Sequence, residues 1–273
     1  MRQSVSGLLL VTDMDGTMLT TDKHISEENI TAIHEFQKAG GRFSIATGRS
    51  IPSLEHYIHL LKIDTPVILY NGGAIYDYDK GEIVWHSVLS EQAKAYLLDV
   101  CEKFPEIGVE VMLEDQMYVV RENWIVKKHL DTEHLSYITC SIDEVPNGWF
   151  KVLFALEPSK MDEFEAYMLA KEYKDVCFVR SFTHYFEMLP FGSSKGGALL
   201  HLAELTGVPM KKTVAIGDYY NDLEMIQNAG IGVAVSNAPQ ELKKVADLVV
   251  CDNDHHAIAD LIHRLMSSSI LER

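Results

Sequence analysis

The stretch Leu8-Leu9-Leu10-Val11-Thr12-Asp13-Met14-Asp15-Gly16-Thr17 constrains this chain more than any other. Leu8 to Val11 is an apolar run with no polar face, which predicts a strand buried on both sides, as in a parallel sheet. It stops at two carboxylates. Ligands of open α/β sheets bind at the carboxyl ends of the strands, so Asp13 and Asp15 are candidate ligand contacts. If the strand continues through them, both side chains leave one face, and Gly16 lets the chain turn away. At roughly 4 Å and an effective dielectric of about 20, two like charges repel by on the order of 4 kcal/mol. Such a pair keeps a proton or binds a cation, and oxygen-only ligands favour magnesium. Taken alone, Asp-x-Asp-Gly is equally well read as a turn after a strand, so the rest of the chain has to decide.

The pattern that follows is strand, helix, strand, helix, strand. Ser26 opens an amphipathic segment carrying Ile30, Ile33 and Phe36, which ends at Gly40-Gly41. A strand over Arg42 to Ala46 ends at Thr47-Gly48-Arg49. Ser50 and Pro52 then suit the start of a helix through Leu61, and a third strand from Val67 to Tyr70 closes on Asn71-Gly72-Gly73. This order predicts an α/β fold, a doubly wound parallel, Rossmann-like sheet.

The pattern then changes. A hairpin is expected around Asp79-Lys80-Gly81. A helix and a hairpin follow, turning at Glu114-Asp115, and the same unit recurs further on with its turn near Phe182-Thr183. From Ser193 the first pattern resumes, with strands over Thr213 to Ile216, Ile231 to Val235 and Leu248 to Cys251. The chain of 273 residues therefore reads as a core over 1–82 and 191–273, interrupted by an inserted α+β cap domain over 83–190.

Charge and composition narrow the function. The formal net charge is −16 and there is no Lys/Arg run, which argues against nucleic acid or an anionic membrane as partner. No apolar stretch approaches the ~20 residues of a membrane span, and Leu8 to Val11 is too short for a signal-peptide core, so a cytoplasmic location is expected. Cys101, Cys140, Cys177 and Cys251 are scattered, and they suggest neither a zinc knuckle nor a disulfide framework. Oligomeric state is not legible.

Four strand ends carry polar groups: Asp13 with Asp15, Thr47, Asn71, and Asp218 with Asn221 and Asp222. In a parallel sheet those ends share an edge, so residues some two hundred positions apart can converge. Asp218 and Asp222, four apart at a helix start, stack on one face beside Asn221. With the first pair they make an acidic cluster that needs a divalent ion. Lys195, in the first turn of a helix, is set against the helix dipole. The free backbone N–H groups there, with Gly196 and Gly197 allowing close approach, make an anion seat, to which Thr47 adds a hydroxyl and backbone N–H groups.

Together these segments resemble the haloacid dehalogenase superfamily, and their order resembles its Cof-type (subfamily IIB) branch of small-molecule phosphatases. Asp13-Met14-Asp15-Gly16-Thr17 matches the first motif, Thr47-Gly48-Arg49 the second, Lys195 the third and Gly217-Asp218-Tyr219-Tyr220-Asn221-Asp222 the fourth. The resemblance implies a magnesium-dependent phosphatase acting on small phosphorylated metabolites such as sugar phosphates, flavin mononucleotide or pyridoxal phosphate. It makes Asp13 the nucleophile that forms an aspartyl-phosphate and Asp15 the acid and base. Asp13, the Asp15 carbonyl and Asp218 would hold Mg2+. Thr47, Lys195, Asn221 and the Met14 and Gly48 backbone would bind the phosphoryl oxygens, and Asp222 would orient Lys195 or the metal site. A phosphomutase such as a phosphomannomutase remains an alternative, as does a phospho-metabolite-binding protein without turnover. Asp15 speaks against the latter, because binding needs no proton shuttle.

Overall fold

The computed structural model describes residues 5–267 except Asp115, His134 and Leu135, so half of the expected Glu114-Asp115 turn lies outside the described residues. By backbone contacts the chain divides into two compact units: Met1–Gly48 with Glu55–Trp85 and Ser194–Arg273, and Arg49–Leu54 with His86–Ser193.

The apolar run becomes β1 (Leu9–Thr12), followed by α1 (Glu27–Lys38), β2 (Arg42–Ile45), α2 (Ile51–Leu61), whose first turn falls in the second unit, β3 (Val67–Leu69), β4 (Ala74–Asp77) and β5 (Glu82–His86), whose last residue also falls there. Ser26 caps α1 by accepting the Asn29 N–H at 3.3 Å. In the second unit come α3 (Gln92–Lys103), β6 (Gly108–Met112), β7 (Met117–Arg121), α4 (Trp124–Glu133), β8 (Tyr137–Thr139), β9 (Lys151–Ala155), α5 (Pro158–Ala170), β10 (Val176–Arg180) and β11 (Tyr185–Pro190). The first pattern returns with α6 (Lys195–Thr206), β12 (Thr213–Gly217), α7 (Leu223–Asn228), β13 (Ile231–Val235), α8 (Gln240–Val245), β14 (Leu248–Val250) and α9 (Ala257–Ser267).

The main sheet is parallel in the order β14-β13-β12-β1-β2, with β1 at its interior, paired to β2 and β12. This accounts for the unbroken apolar run, since all four residues of β1 are buried. Leu9, Val11 and Ala215 pack with Ala198, Leu199 and Leu202 of α6 and Met225 of α7. α1 and α9 pack together, and the buried Asn29 there accepts the Ala259 N–H at 2.9 Å on its Oδ1, while its Nδ2 is buried with no partner among the described residues.

The third expected strand needs correcting. β3 belongs to a separate three-stranded sheet in the order β3-β4-β5, and it touches β2 through a single parallel bridge, Ala46 to Ile68. Tyr70 leaves the strand with φ +53°, so the ladder cannot continue to the length expected.

The second unit holds a six-stranded sheet in the order β10-β11-β9-β6-β7-β8. One face, with Val109, Val111, Val152, Phe154, Phe186 and Met188, packs on α3 and α5. The alternate residues Glu110, Leu153 and Glu187 lie in register across β6, β9 and β11. Glu110 faces His129 at 2.9 Å, and Glu187 accepts from the buried Lys151 at 3.1 Å.

Candidate active site

Asp13 is the first residue beyond β1, and its N–H still donates to the Ile216 carbonyl at 2.9 Å, which keeps it in register with β12. Because Thr12 pairs with Ile216, the residues that follow each strand emerge side by side. Asp13, Asp218 and Asp222 each place a carboxylate oxygen within 4.8 Å of the others. Lys195 is buried among them, and its Nζ donates to Asp13 Oδ1 at 2.5 Å and to Asp222 Oδ1 at 2.7 Å. An ammonium has three N–H groups, so one more remains for a ligand oxygen.

Asp222 is saturated in another way: its Oδ2 accepts the N–H groups of Asp218 at 3.0 Å and Tyr219 at 3.2 Å. These are local bonds of a turn. Tyr220–Asp222 is a single 3-10 turn and α7 begins only at Leu223, so the stacking of Asp218 and Asp222 on a helix face is corrected to a carboxylate that folds back to cap its own loop. Two glycines make room for this crowding. A Cβ on Gly16, whose φ is +84°, would lie 2.4 Å from Asp218 Oδ2, and a Cβ on Gly217 would lie 2.4 Å from the Asp222 Cβ.

The electrostatics are those of a site short of positive charge. Burial pushes the Asp13 carboxyl above the ordinary carboxylate range; Lys195 opposes this and Asp222 adds to it. Burial, then the charges of Asp13 and Asp222, raise Asp218 as well. Burial works against the Lys195 charge, but Asp13 and Asp222 more than offset it and hold the ammonium above its usual range. Three carboxylates meet one ammonium here, an excess that one divalent cation would cancel. The donor set fits magnesium: hard oxygens only, with Asp13 and Asp218 as the carboxylates not already saturated.

This has a consequence for stability. Both raised carboxyls hold protons in the folded state that the unfolded chain, with ordinary values near 4, has already released. The contribution of these two groups to the stability of the metal-free protein is therefore lost as pH rises from about 4 through their folded values, about 7 for Asp13 and about 9 for Asp218. A cation displaces those protons, so the rise in thermal midpoint on adding magnesium should be larger at pH 8 than at pH 6, by a few degrees at saturating metal. Calorimetry at the two pH values checks it, and an equal rise at both would contradict the charge reading.

The remaining expected residues divide. The Asp15 carboxylate does not join the buried cluster: β1 ends at Thr12, so the two carboxylates diverge, and Asp15 Oδ1 accepts from Lys23 Nζ at 2.6 Å. Thr47 is buried, but its backbone N–H donates to the Ile68 carbonyl at 2.9 Å, so that N–H does not serve an anion as expected. The glycines after Lys195 also act differently. A Cβ on Gly196 would lie 2.5 Å from Glu224 Cγ, which makes it a packing glycine between α6 and α7, and the Gly197 N–H donates to Ser194 Oγ at 2.9 Å. Asn221 Nδ2 donates to Asn71 Oδ1 at 3.1 Å, and a Cβ on Gly48 would lie 2.8 Å from Asn71 Nδ2. Met14 is buried, and its carbonyl accepts the N–H groups of Met18 at 3.0 Å and Leu19 at 2.8 Å.

Three contributors were missed in the sequence. Thr17 Oγ1 donates to Asp218 Oδ1 at 3.2 Å, Asn237 Nδ2 donates to the Gly16 carbonyl at 2.8 Å, and Lys23 reaches Asp15 from a left-handed turn at φ +63°. Only Thr17 lies within a motif. Lys23 and Asn237 sit in polar loops that look like any other.

The family model for haloacid dehalogenase-like hydrolases matches residues 10–262. Phosphatase YwpJ of Bacillus subtilis is 28% identical over 288 residues, covering 94% of this chain and 99% of its own length. Pyridoxal phosphate phosphatase YbhA of Escherichia coli is 27% identical over 266 residues, with 93% and 97% covered. Among solved structures, a haloacid dehalogenase-like hydrolase from Bacteroides thetaiotaomicron superimposes with a TM-score of 0.84 at 26% identity, covering 94% of this chain and 99% of that one.

Proposed function

The chain belongs to the haloacid dehalogenase-like hydrolases, and from that premise we propose that it is a magnesium-dependent phosphatase of small phosphorylated metabolites that works through an aspartyl-phosphate on Asp13. The observation that carries the reading is Lys195, buried and hydrogen-bonded to both Asp13 and Asp222, with Asp218 in the same cluster. Evolving a buried ammonium amid three carboxylates has little structural benefit, because such networks rarely outweigh their desolvation cost. It has a clear use where a dianionic group must approach an anionic nucleophile.

Lys195 fixes the rotation of the Asp13 carboxylate by holding Oδ1. A carboxylate oxygen of Asp13 attacks phosphorus, the bond from phosphorus to the ester oxygen breaks, and the leaving oxygen takes its proton from Asp15. Water then attacks the aspartyl-phosphate, giving a proton to Asp15, and the bond from phosphorus to Asp13 breaks to release phosphate and restore the carboxylate. Asp13 and Asp218, with the Asp15 carbonyl, would hold Mg2+, which supplies charge neutralisation for the anionic ester. The remaining Lys195 N–H, Thr47, the second amide N–H of Asn221 and the Met14 and Gly48 backbone receive the transferring oxygens. Asp222 holds Lys195 in place from behind.

The substrate classes we favour are sugar phosphates and phosphorylated cofactors, in line with the pyridoxal phosphate phosphatase named among the relatives. The unit from His86 to Ser193 would serve as the specificity cap, and the cytoplasm as the location, with neither nucleic acid nor membrane as partner. No helix of the described residues is long and apolar enough to cross a membrane. A panel of phosphorylated metabolites assayed for phosphate release, with magnesium and with a chelator, tests the reading. Release from at least one small ester that requires magnesium is expected; release indifferent to the chelator would overturn the metal role, and no release from any ester would overturn the phosphatase.

A further inference from the structure

The turn after β3 carries left-handed backbone at buried residues. Tyr70, Asn71 and Gly72 have φ of +53°, +55° and +96°, so three successive residues are left-handed, and Tyr70 and Asn71 are buried. Most side chains other than glycine resist that conformation, asparagine least and tyrosine more, and buried residues held in it are found where surrounding structure over-determines them.

What over-determines this turn is contact with three of the four motifs. The Asn71 N–H donates to the Thr47 carbonyl at 2.9 Å, and Asn71 Nδ2 lies against Gly48, where any Cβ would come within 2.8 Å of it. Asn71 Oδ1 accepts from Asn221 Nδ2, a residue 150 positions away, at 3.1 Å. The next residue, Gly72, meets the start of α6 so closely that a Cβ would lie 2.1 Å from the Ser194 carbonyl and 2.9 Å from the Lys195 nitrogen. The amide of Asn221 is thereby fixed. One of its two N–H groups is held by Asn71, which leaves the other as a donor for a phosphoryl oxygen; its Oδ1, an acceptor buried with no partner among the described residues, is of the kind that a water or hydroxyl completes.

We propose that Asn71 is a positioning residue of the phosphoryl site, holding the Asn221 amide and the Thr47–Gly48 backbone in the geometry that receives the transferring group. The inference rests on the phosphatase reading above and adds a fifth element to it. Its side chain acts through Asn221, and its left-handed backbone places that side chain.

Glycine at this position separates the two contributions, because it adopts φ +55° without strain yet lacks the amide. Native protein, Asn71→Gly, Asn71→Ala, Asn221→Ala and the Asn71→Gly/Asn221→Ala double variant are compared for kcat, KM and thermal midpoint on the best ester of the panel. Asn71→Gly is expected to keep a midpoint within about two degrees of native while kcat/KM falls about 10- to 100-fold, mostly in kcat, as for a misplaced contact. Asn221→Ala should lose a similar amount, and the double variant no more than the larger single loss, because both remove one shared bond. Asn71→Ala keeps the strain and should add a lower midpoint. Two results would overturn the inference while leaving the phosphatase standing: Asn71→Gly within twofold of native, or losses that multiply in the double variant. A native protein inactive on every ester would remove the functional reading itself, and this inference with it.

Discussion

Asp13→Asn is expected to remove phosphate release at least ~10³-fold, equivalent to about 4 kcal/mol of transition-state stabilisation, while the protein stays folded. The amide keeps the size and an acceptor oxygen for Lys195 Nζ, now 2.5 Å from Asp13 Oδ1, so packing around the ammonium survives. What disappears is the nucleophilic charge, and an amide oxygen does not form the acyl phosphate. The substitution also takes one carboxylate out of a crowded buried cluster whose members are already pushed toward protonation. The thermal midpoint without metal should therefore lie at or above the native one, and magnesium should raise it less than it raises the native protein. Steady-state phosphate release and calorimetry on the two proteins decide it. Release within tenfold of native from a correctly folded Asp13→Asn would exclude attack by this carboxylate.

Lys195→Met should be nearly as severe for activity and far worse for stability. Methionine matches the length and apolar stem but leaves Asp13 and Asp222 facing one another with no ammonium, beside Asp218. Removing one partner of a buried ion pair typically costs about 3–5 kcal/mol, because an uncompensated charge is left behind. Here the carboxylates can take up protons, so the loss should shrink as pH falls and grow as it rises. Urea midpoints at pH 6 and pH 8 read this out. Adding Asp222→Asn to Lys195→Met should recover part of the stability and none of the turnover, since the phosphoryl oxygens still lack their cation. Recovery of turnover in that double variant would mean that Lys195 acts on the fold and not on the ester.

Much of this arrangement was readable in advance, for identifiable reasons. β1 announces itself because a strand with neighbours on both edges and helices on both faces has no solvent side, so Leu9 to Val11 can be uniformly apolar. Ser26 and Ser194 mark helix starts because capping is local chemistry, complete within a few residues. Asp13 and Asp218 were visible as strand-end carboxylates. Errors arose where a local rule met a distant partner or where the chain's own turn took a conformation that periodicity does not register. Gly196 reads as an opening for an anion, but it accommodates Glu224 from another helix. Asp222 reads as a residue on a helix face, but hydrogen bonds to the N–H groups of Asp218 and Tyr219 turn it inward. The third strand reads as a full member of the sheet, but the left-handed Tyr70 ends it early, and no residue type there gave warning.

By itself the sequence determined the alternation of strands and helices, the interruption of that alternation by a second kind of unit, and the polar groups placed at strand ends, because each depends on periodicity or on chemistry within a turn or two. Only the tertiary structure decided which of those groups meet. The parallel pairing of Thr12 with Ile216 puts Asp13 beside Asp218, a buried Lys195 binds both Asp13 and Asp222, and the Asp15 carboxylate meets Lys23. The physical reason is range: hydrogen-bond register and charge neutralisation act between residues more than two hundred positions apart, and no local pattern encodes such a partner.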